Sequence, residues 1–293
     1  MDTWKTLKDL SFKFFGRSLE PFVGYFDSIK YDLLKANLEL SLTEYIYSMF
    51  FTLLILFIIE FPTIVVITSI LLRDALMAFL FSFTLTTVAL LLVFFLFYMY
   101  PSMASGKRKK SIDATLPFGT TYMATIASSR APPIAMFKIL SQFNEYGELS
   151  VETGKIYRDV EAFGMDLQGA IRKTANRTPS EELKELLWGL DTVLSSGGSV
   201  GNFLHEKSRG FINEYRRSLE QYSKTLSLLI EVYLTVVLVG SIFFIIMTSL
   251  MSILGGGGGG TGTLLLQFLV LFIGLPFASL GFIGLLKMIA PSM

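Results

Sequence analysis

Two long apolar blocks, roughly residues 45–100 and 226–290, constrain this chain more than any other feature of it. Each is too long and too poor in charge to hide inside a soluble core. Each is also long enough for two helical passes of about 20 residues through a hydrocarbon layer about 30 Å thick. The first block is interrupted by Glu60, Pro62 and the pair Arg73-Asp74, the second by the run Gly255 to Gly260 with Thr261 and Gly262. With 52% hydrophobic and 17% charged residues, the whole composition is more apolar than a soluble domain carries. The pattern predicts an all-α membrane protein with four transmembrane helices and a cytoplasmic antiparallel helix bundle between the second and third.

Charge placement sets the expected orientation. Of the 25 Lys and Arg, six fall in residues 1–43, seventeen in 101–227 and one at Lys287, leaving only Arg73 for the two outer connections. By the bias of cytoplasmic loops towards Lys and Arg, both termini and the central segment are expected on the cytoplasmic side of the cell (inner) membrane. The formal net charge of +1 offers no general attraction for nucleic acid, so no nucleic-acid partner is expected. Zero Cys removes disulfides, thiolate ligands and thiol nucleophiles, and one His removes any multi-histidine metal site.

Four segments follow. Residues 1–43 balance six acidic against six basic side chains, with Leu7, Leu10, Phe14, Phe15, Leu33, Leu34 and Leu38 spaced for amphipathic helices on the cytoplasmic side. No apolar signal-peptide core is legible in them. Residues 44–100 form two spans, 101–227 the helix bundle, and 228–290 two further spans joined by the glycine-rich outer loop. Within the bundle, Thr178-Pro179-Ser180-Glu181 reads as an N-cap, a proline at the first helical position and a capping glutamate. The helix it opens should run through Leu183, Leu186, Leu187, Leu190 and Val193 and stop at Gly197-Gly198, with Gly147 and Gly164 as earlier stops. Ser199 then caps a helix with no breaker before the third span, a strut of about 40 Å over residues 199–225. A weak repeat, Thr125 to Ser129 against Thr192 to Ser196, supports stacked hairpins.

Catalytic chemistry is hard to find. The glycine run has no following Lys-Ser/Thr and no preceding strand, so a linker fits it better than a phosphate loop. His205 has no oriented acid or nucleophile beside it. The pairs Glu181/Glu182 and Glu145/Glu148 read as solvated or dipole-compensating charges at helix ends. Glu60 and Glu231 fall within the apolar blocks, where a carboxylate is costly. An ion-coupled secondary transporter or channel using them is the alternative function, against a reading that puts both near span ends. No catalytic, cofactor-binding or metal-binding residue is assigned.

Three groups remain as candidate contact residues. Lys107, Arg108, Lys109 and Lys110, just after the second span, suit a topology anchor attracted to anionic membrane lipid. Arg172, Lys173 and Arg177 before the capped helix, with Arg209, Arg216 and Arg217 along the strut, suit either a solvated face or a docking surface for an acidic patch. Gly274, Ala278, Gly281 and Gly284 leave a small-residue face for close helix packing.

Taken in order, several motifs resemble the F-domain family of type II secretion, the inner-membrane platform proteins of type IV pili, Tad pili and archaeal flagella. They are Tyr100-Pro101 ahead of the basic cluster, Ile112-Asp113-x-x-Leu116-Pro117, Gly164-Met165-Asp166-Leu167-x-x-Ala170-Ile171, Arg177-Thr178-Pro179-Ser180 and Gly197-Gly198-Ser199-Val200-x-x-Phe203-Leu204. The Arg-rich helix Arg209 to Lys224 entering a span completes the set. One bundle rather than two is similar to the Tad-type C-like and archaeal members. The resemblance implies a non-enzymatic scaffold without cofactors. Its bundle would dock on a hexameric secretion ATPase and its spans would hold pilin-like subunits. A single bundle further implies pairing as a homodimer or with a sister F-domain protein.

Overall fold

A computed structural model of the chain describes residues 23–38, 40–72, 74–129, 131–254, 262, 265 and 268–289. The expected helices of residues 1–22 and the glycine run 255–260 lie outside them, as do Arg73 and Arg130. Among the described residues every regular element is helical. The chain divides into two units, Met1–His205 and Glu206–Met293.

The first unit opens with α1 (Asp27–Lys35) after a single 3₁₀ turn, Gly24–Phe26. Its Ile29 and Leu33 bury against Tyr45, with Phe26, Leu38, Leu42 and Phe97 closing the cluster. Helices α2 (Leu42–Leu72) and α3 (Ala75–Ala127) form an antiparallel hairpin. Asp74 caps the start of α3 by accepting from the Leu76 amide. Near the hairpin tip the two helices share polar contacts: the Thr68 and Ser82 hydroxyls lie 2.6 Å apart, and both reach the Ala78 carbonyl. Ala78, Ser82 and Thr86 recur every four residues and are buried, so small side chains line the seam where the helices meet.

The expected boundary between span and bundle at residues 100/101 is no break in the chain. Helix α3 runs 53 residues, about 80 Å, through both Pro101 and Pro117. Proline has no N–H to give, so Pro101 leaves the Phe97 carbonyl without its helical partner. The Tyr45 hydroxyl donates to that carbonyl at 2.7 Å and makes good the loss. The far half of α3 is the first helix of the bundle, with Ile112, Leu116, Met123 and Ala124 fully buried.

Around that half pack α4 (Ile134–Ser141), α5 (Glu148–Glu161), α6 (Leu167–Ala175) and α7 (Glu181–Ser196), each touching its successor. Met136, Phe137, Leu140, Leu149, Ile156, Ala170, Ile171, Leu183, Leu186, Leu187 and Leu190 supply the core. Gly147, Gly164 and Gly197 all have positive φ and terminate helices or turns as expected. At Gly197 the following amide returns to the Val193 carbonyl at 2.9 Å, a Schellman closure. The cap of α7 differs from expectation. Ser180 accepts from the Leu183 amide, and Thr178 accepts only from Ser180, so Glu181 is the first helical residue and does not occupy the third position.

Helix α8 (Val200–Tyr233) begins with Ser199 accepting from the Asn202 amide and has no interruption before the apolar sequence, as the strut requires. The second unit opens inside it. A π-helical turn, Leu234–Val239, leads into α9 (Gly240–Leu254), and a second, Val270–Gly274, leads into α10 (Leu275–Ile289). Tyr233 stacks on Phe282 with ring centres 4.5 Å apart, and its hydroxyl lies 2.9 Å from that of Ser279.

Three helices are long and apolar enough to cross a bilayer: Leu42–Leu72, Ala75–Ala127 and the continuous Val200–Leu250. Almost none of their apolar stretches is covered by the chain itself. The chain is therefore a multi-pass membrane protein. Within the described residues the last apolar helix, Phe272–Gly284, is shorter than a full crossing.

Candidate docking pocket and the Arg108 hub

The run Lys107 to Lys110 lies on helix α3, where each residue turns the side chain by about 100°. Four consecutive cations therefore cannot share one face. Lys107, Lys109 and Lys110 are exposed, whereas Arg108 is only 8% exposed. Its guanidinium donates to three segments. The Nε reaches Glu148 Oε2 at 2.7 Å, one terminal nitrogen donates to Glu152, and the other donates to the Lys35 carbonyl at 2.6 Å. Arg108 thus departs from the lipid-facing role expected of the cluster and ties α3 to α5 and to the last turn of α1. Glu148, an acidic residue in the first turn of α5 as expected of a dipole-compensating charge, is also an ion-pair partner of Arg108. The planar fork of arginine suits this geometry, since its donors point in fixed directions at separate acceptors.

Next to the hub, Lys109 pairs with Asp113 one turn later at 2.6 Å, and that hydrogen bond raises the lysine pKa above its ordinary value. The other Asp113 oxygen accepts from the Ser180 hydroxyl, which links α3 to the cap of α7.

Glu152 is also the floor of a small polar pocket of about 40 Å³ between α5 and α6, lined by Lys155, Arg158, Asp159, Lys173, Thr174 and Arg177. Lys155 bonds the same Glu152 oxygen that Arg108 uses, at 2.8 Å, and Lys173 pairs with Asp159 at 2.7 Å. The second Glu152 oxygen is buried without a protein partner and sits where a bound water could reach it. Both carboxylates of the pocket are matched by lysines. Arg158 and Arg177 are exposed and form no ion pair among the described residues, so the rim carries the excess positive charge.

Of the six cations expected to dock a partner, the structure thus brings Lys173 and Arg177 to one pocket. Arg172, one residue before Lys173, turns instead towards α7 and approaches Asp191 at 3.4 Å. Arg209, Arg216 and Arg217 are exposed along α8 in the second unit. Lys155 and Arg158 escaped the sequence reading. Their signal was the i, i+3 spacing of Glu152, Lys155 and Arg158, which reads equally well as an ordinary charged helix face. His205 is exposed and lies 3.3 Å from the Ser128 hydroxyl. Among the described residues no group of three acidic or histidine side chains could hold a metal ion. The face of Gly274, Ala278, Gly281 and Gly284 is exposed, and a Cβ at Gly281 or Gly284 would meet open space.

Residues 120–248, from the middle of the bundle's first helix to α9, match the family model of type II secretion system (T2SS), protein F. Over those residues the chain is similar to type II secretion system protein F. Relatives extend the likeness. An uncharacterised protein of Methanocaldococcus jannaschii is 28% identical over 199 residues, covering 66% of this chain and 33% of the relative. The flagella accessory protein J of the same organism is 29% identical over 46% of this chain and 24% of the relative. That of Methanococcus voltae is 27% identical over 49% and 26%. The chain therefore spans about a third or less of the curated relatives it matches. No solved structure matches it.

Proposed function

We propose that this protein is the membrane platform of a pilus-like or archaeal-flagellum-like assembly machine, coupling a cytoplasmic secretion ATPase to pilin-like subunits. The observation that carries the reading is the basic rim of the α5/α6 pocket inside an F domain. There Arg158 and Arg177, with no ion pair among the described residues, stand beside Glu152, which pairs with the Arg108 guanidinium behind it. Such a rim suits an acidic patch on a partner protein, and steering by charge speeds encounter. In this reading four spans hold the F domain at the cytoplasmic face, and the exposed Lys107, Lys109 and Lys110 meet anionic lipid headgroups. The small-residue face of Gly274 to Gly284 receives a neighbouring membrane helix, from a second copy or a sister F-domain protein.

A photocrosslinking residue at Arg158 tests this in native membranes. Capture of a hexameric ATPase is expected, weakening at least tenfold in Arg177→Glu and as salt rises from 0.05 to about 0.5 M, where screening shortens to a few ångströms. Failure to capture the ATPase, with the ATPase shown to be present, counts against the docking role.

A further inference from the structure

A carboxylate interrupts the apolar run of α2. Glu60 lies in α2, eighteen residues after Leu42 and twelve before Leu72, with an apolar run on either side. At 1.5 Å per residue it is about 18 Å from the hairpin tip. The pairing of α2 with α3 brackets its depth: Tyr45 meets Phe97 at one end and Thr68 meets Ser82 near the other. The expectation that Glu60 sits beside Pro62 at a span end is not met, because α2 continues through Pro62 without a break. No hydrogen bond or ion pair is made by its carboxylate among the described residues. The nearest hydroxyl, that of Thr63, donates to the Ile59 and Glu60 carbonyls of its own helix.

The chain cannot neutralise this group from its own membrane segments. Between residues 45 and 100 of the sequence the only Lys or Arg is Arg73, and between 226 and 290 it is Lys287. A second copy of the chain brings the same inventory and places no cation at mid-depth. Charged side chains inside a bilayer are found facing a partner of opposite sign or a polar cavity. We propose that Glu60 ion-pairs, at mid-bilayer depth, with a cationic group on a membrane helix outside this sequence, either a Lys or Arg side chain or an α-ammonium. The contact face follows from helical spacing. Thr63 and Ile67 lie on the Glu60 side of α2 and are exposed, whereas Ile58, also exposed, is turned about 160° away.

The test uses the full chain in its native membranes with a photocrosslinking residue at Thr63 and, as the opposite-face control, at Ile58. The expected result is a protein adduct at Thr63, absent from Ile58, whose crosslinked span carries a Lys, an Arg or a free amino terminus within about one helical turn of the attachment point. That adduct should fall at least tenfold in Glu60→Gln and Glu60→Lys, and exchanging the partner's cation for Glu should restore it in the Glu60→Lys chain. Both variants are checked for unchanged membrane level. An adduct that persists in Glu60→Gln overturns the ion pair, because a neutral hydrogen-bonding group then suffices. A crosslinked span without a cation, a second copy of this chain, or lipid alone at Thr63 overturns it equally.

Discussion

At the scale of single residues, Arg108 is the position whose role depends most on distant partners. It is buried with Glu152, which is 2% exposed, so removing either leaves an uncompensated charge in a place water reaches poorly. Arg108→Ala is expected to destabilise the F domain by about 3 kcal/mol or more. Arg108→Lys should fall between, because an ammonium cannot reach three acceptors in different directions. Thermal unfolding of the purified protein in detergent, followed by helical circular dichroism, checks both; an unchanged midpoint in Arg108→Ala would show that the hub carries no stability. Nothing in the run Lys107 to Lys110 marked Arg108 as different. Its acceptors lie 40, 44 and 73 residues away, and a local reading of four cations sees only a solvated or lipid-facing cluster.

Among the elements, the helix ends were the most legible and the helix continuities the least. Gly147, Gly164 and Gly197 announce stops because positive φ is cheap only for glycine, and that is a local property. The persistence of α3 through Pro101 is not local. It rests on a tyrosine hydroxyl from 52 residues earlier taking up the carbonyl that proline abandons. Tyr45→Phe is accordingly expected to loosen α3 near Phe97 by about 1 kcal/mol, read as faster amide hydrogen exchange around residues 97–102. Retained protection there would show that the carbonyl is satisfied otherwise. The absence of a breaker before the third span was legible, and α8 is unbroken from Val200 to Tyr233. Leu219→Pro should interrupt it at a cost of about 3 kcal/mol and abolish filament assembly while leaving the protein in the membrane. Normal filaments in that variant, seen by electron microscopy, would remove the strut from the mechanism.

For the whole molecule, the orientation expected from the charge census is open to direct test. The chain has no Cys, so single cysteines report topology cleanly. A Cys at Asp74 is expected to react with an impermeant maleimide from outside intact cells, and one at Lys110 only after permeabilisation. The reverse pattern would invert every span. The all-helical character and the long apolar helices were legible because apolar run length and helical spacing carry them, whereas the described residues hold three helices of crossing length where four spans were expected. The α5/α6 pocket was half legible: Lys173 and Arg177 stood in a visible basic group. Lys155 and Arg158 did not, because only packing decides that α5 turns them towards α6.

The unbroken α3 also makes the protein responsive to the lipids around it. The 26 residues from Ala75 to Tyr100 measure about 39 Å, against a hydrocarbon layer of about 30 Å. A rod longer than the layer it crosses tilts, and a thinner bilayer tilts it further. Because α3 stays helical through Pro101, a change in tilt is expected to move the far end, about 40 Å beyond Tyr100. Growth temperature and acyl-chain length, which set bilayer thickness, thereby become inputs to where that end of the helix points.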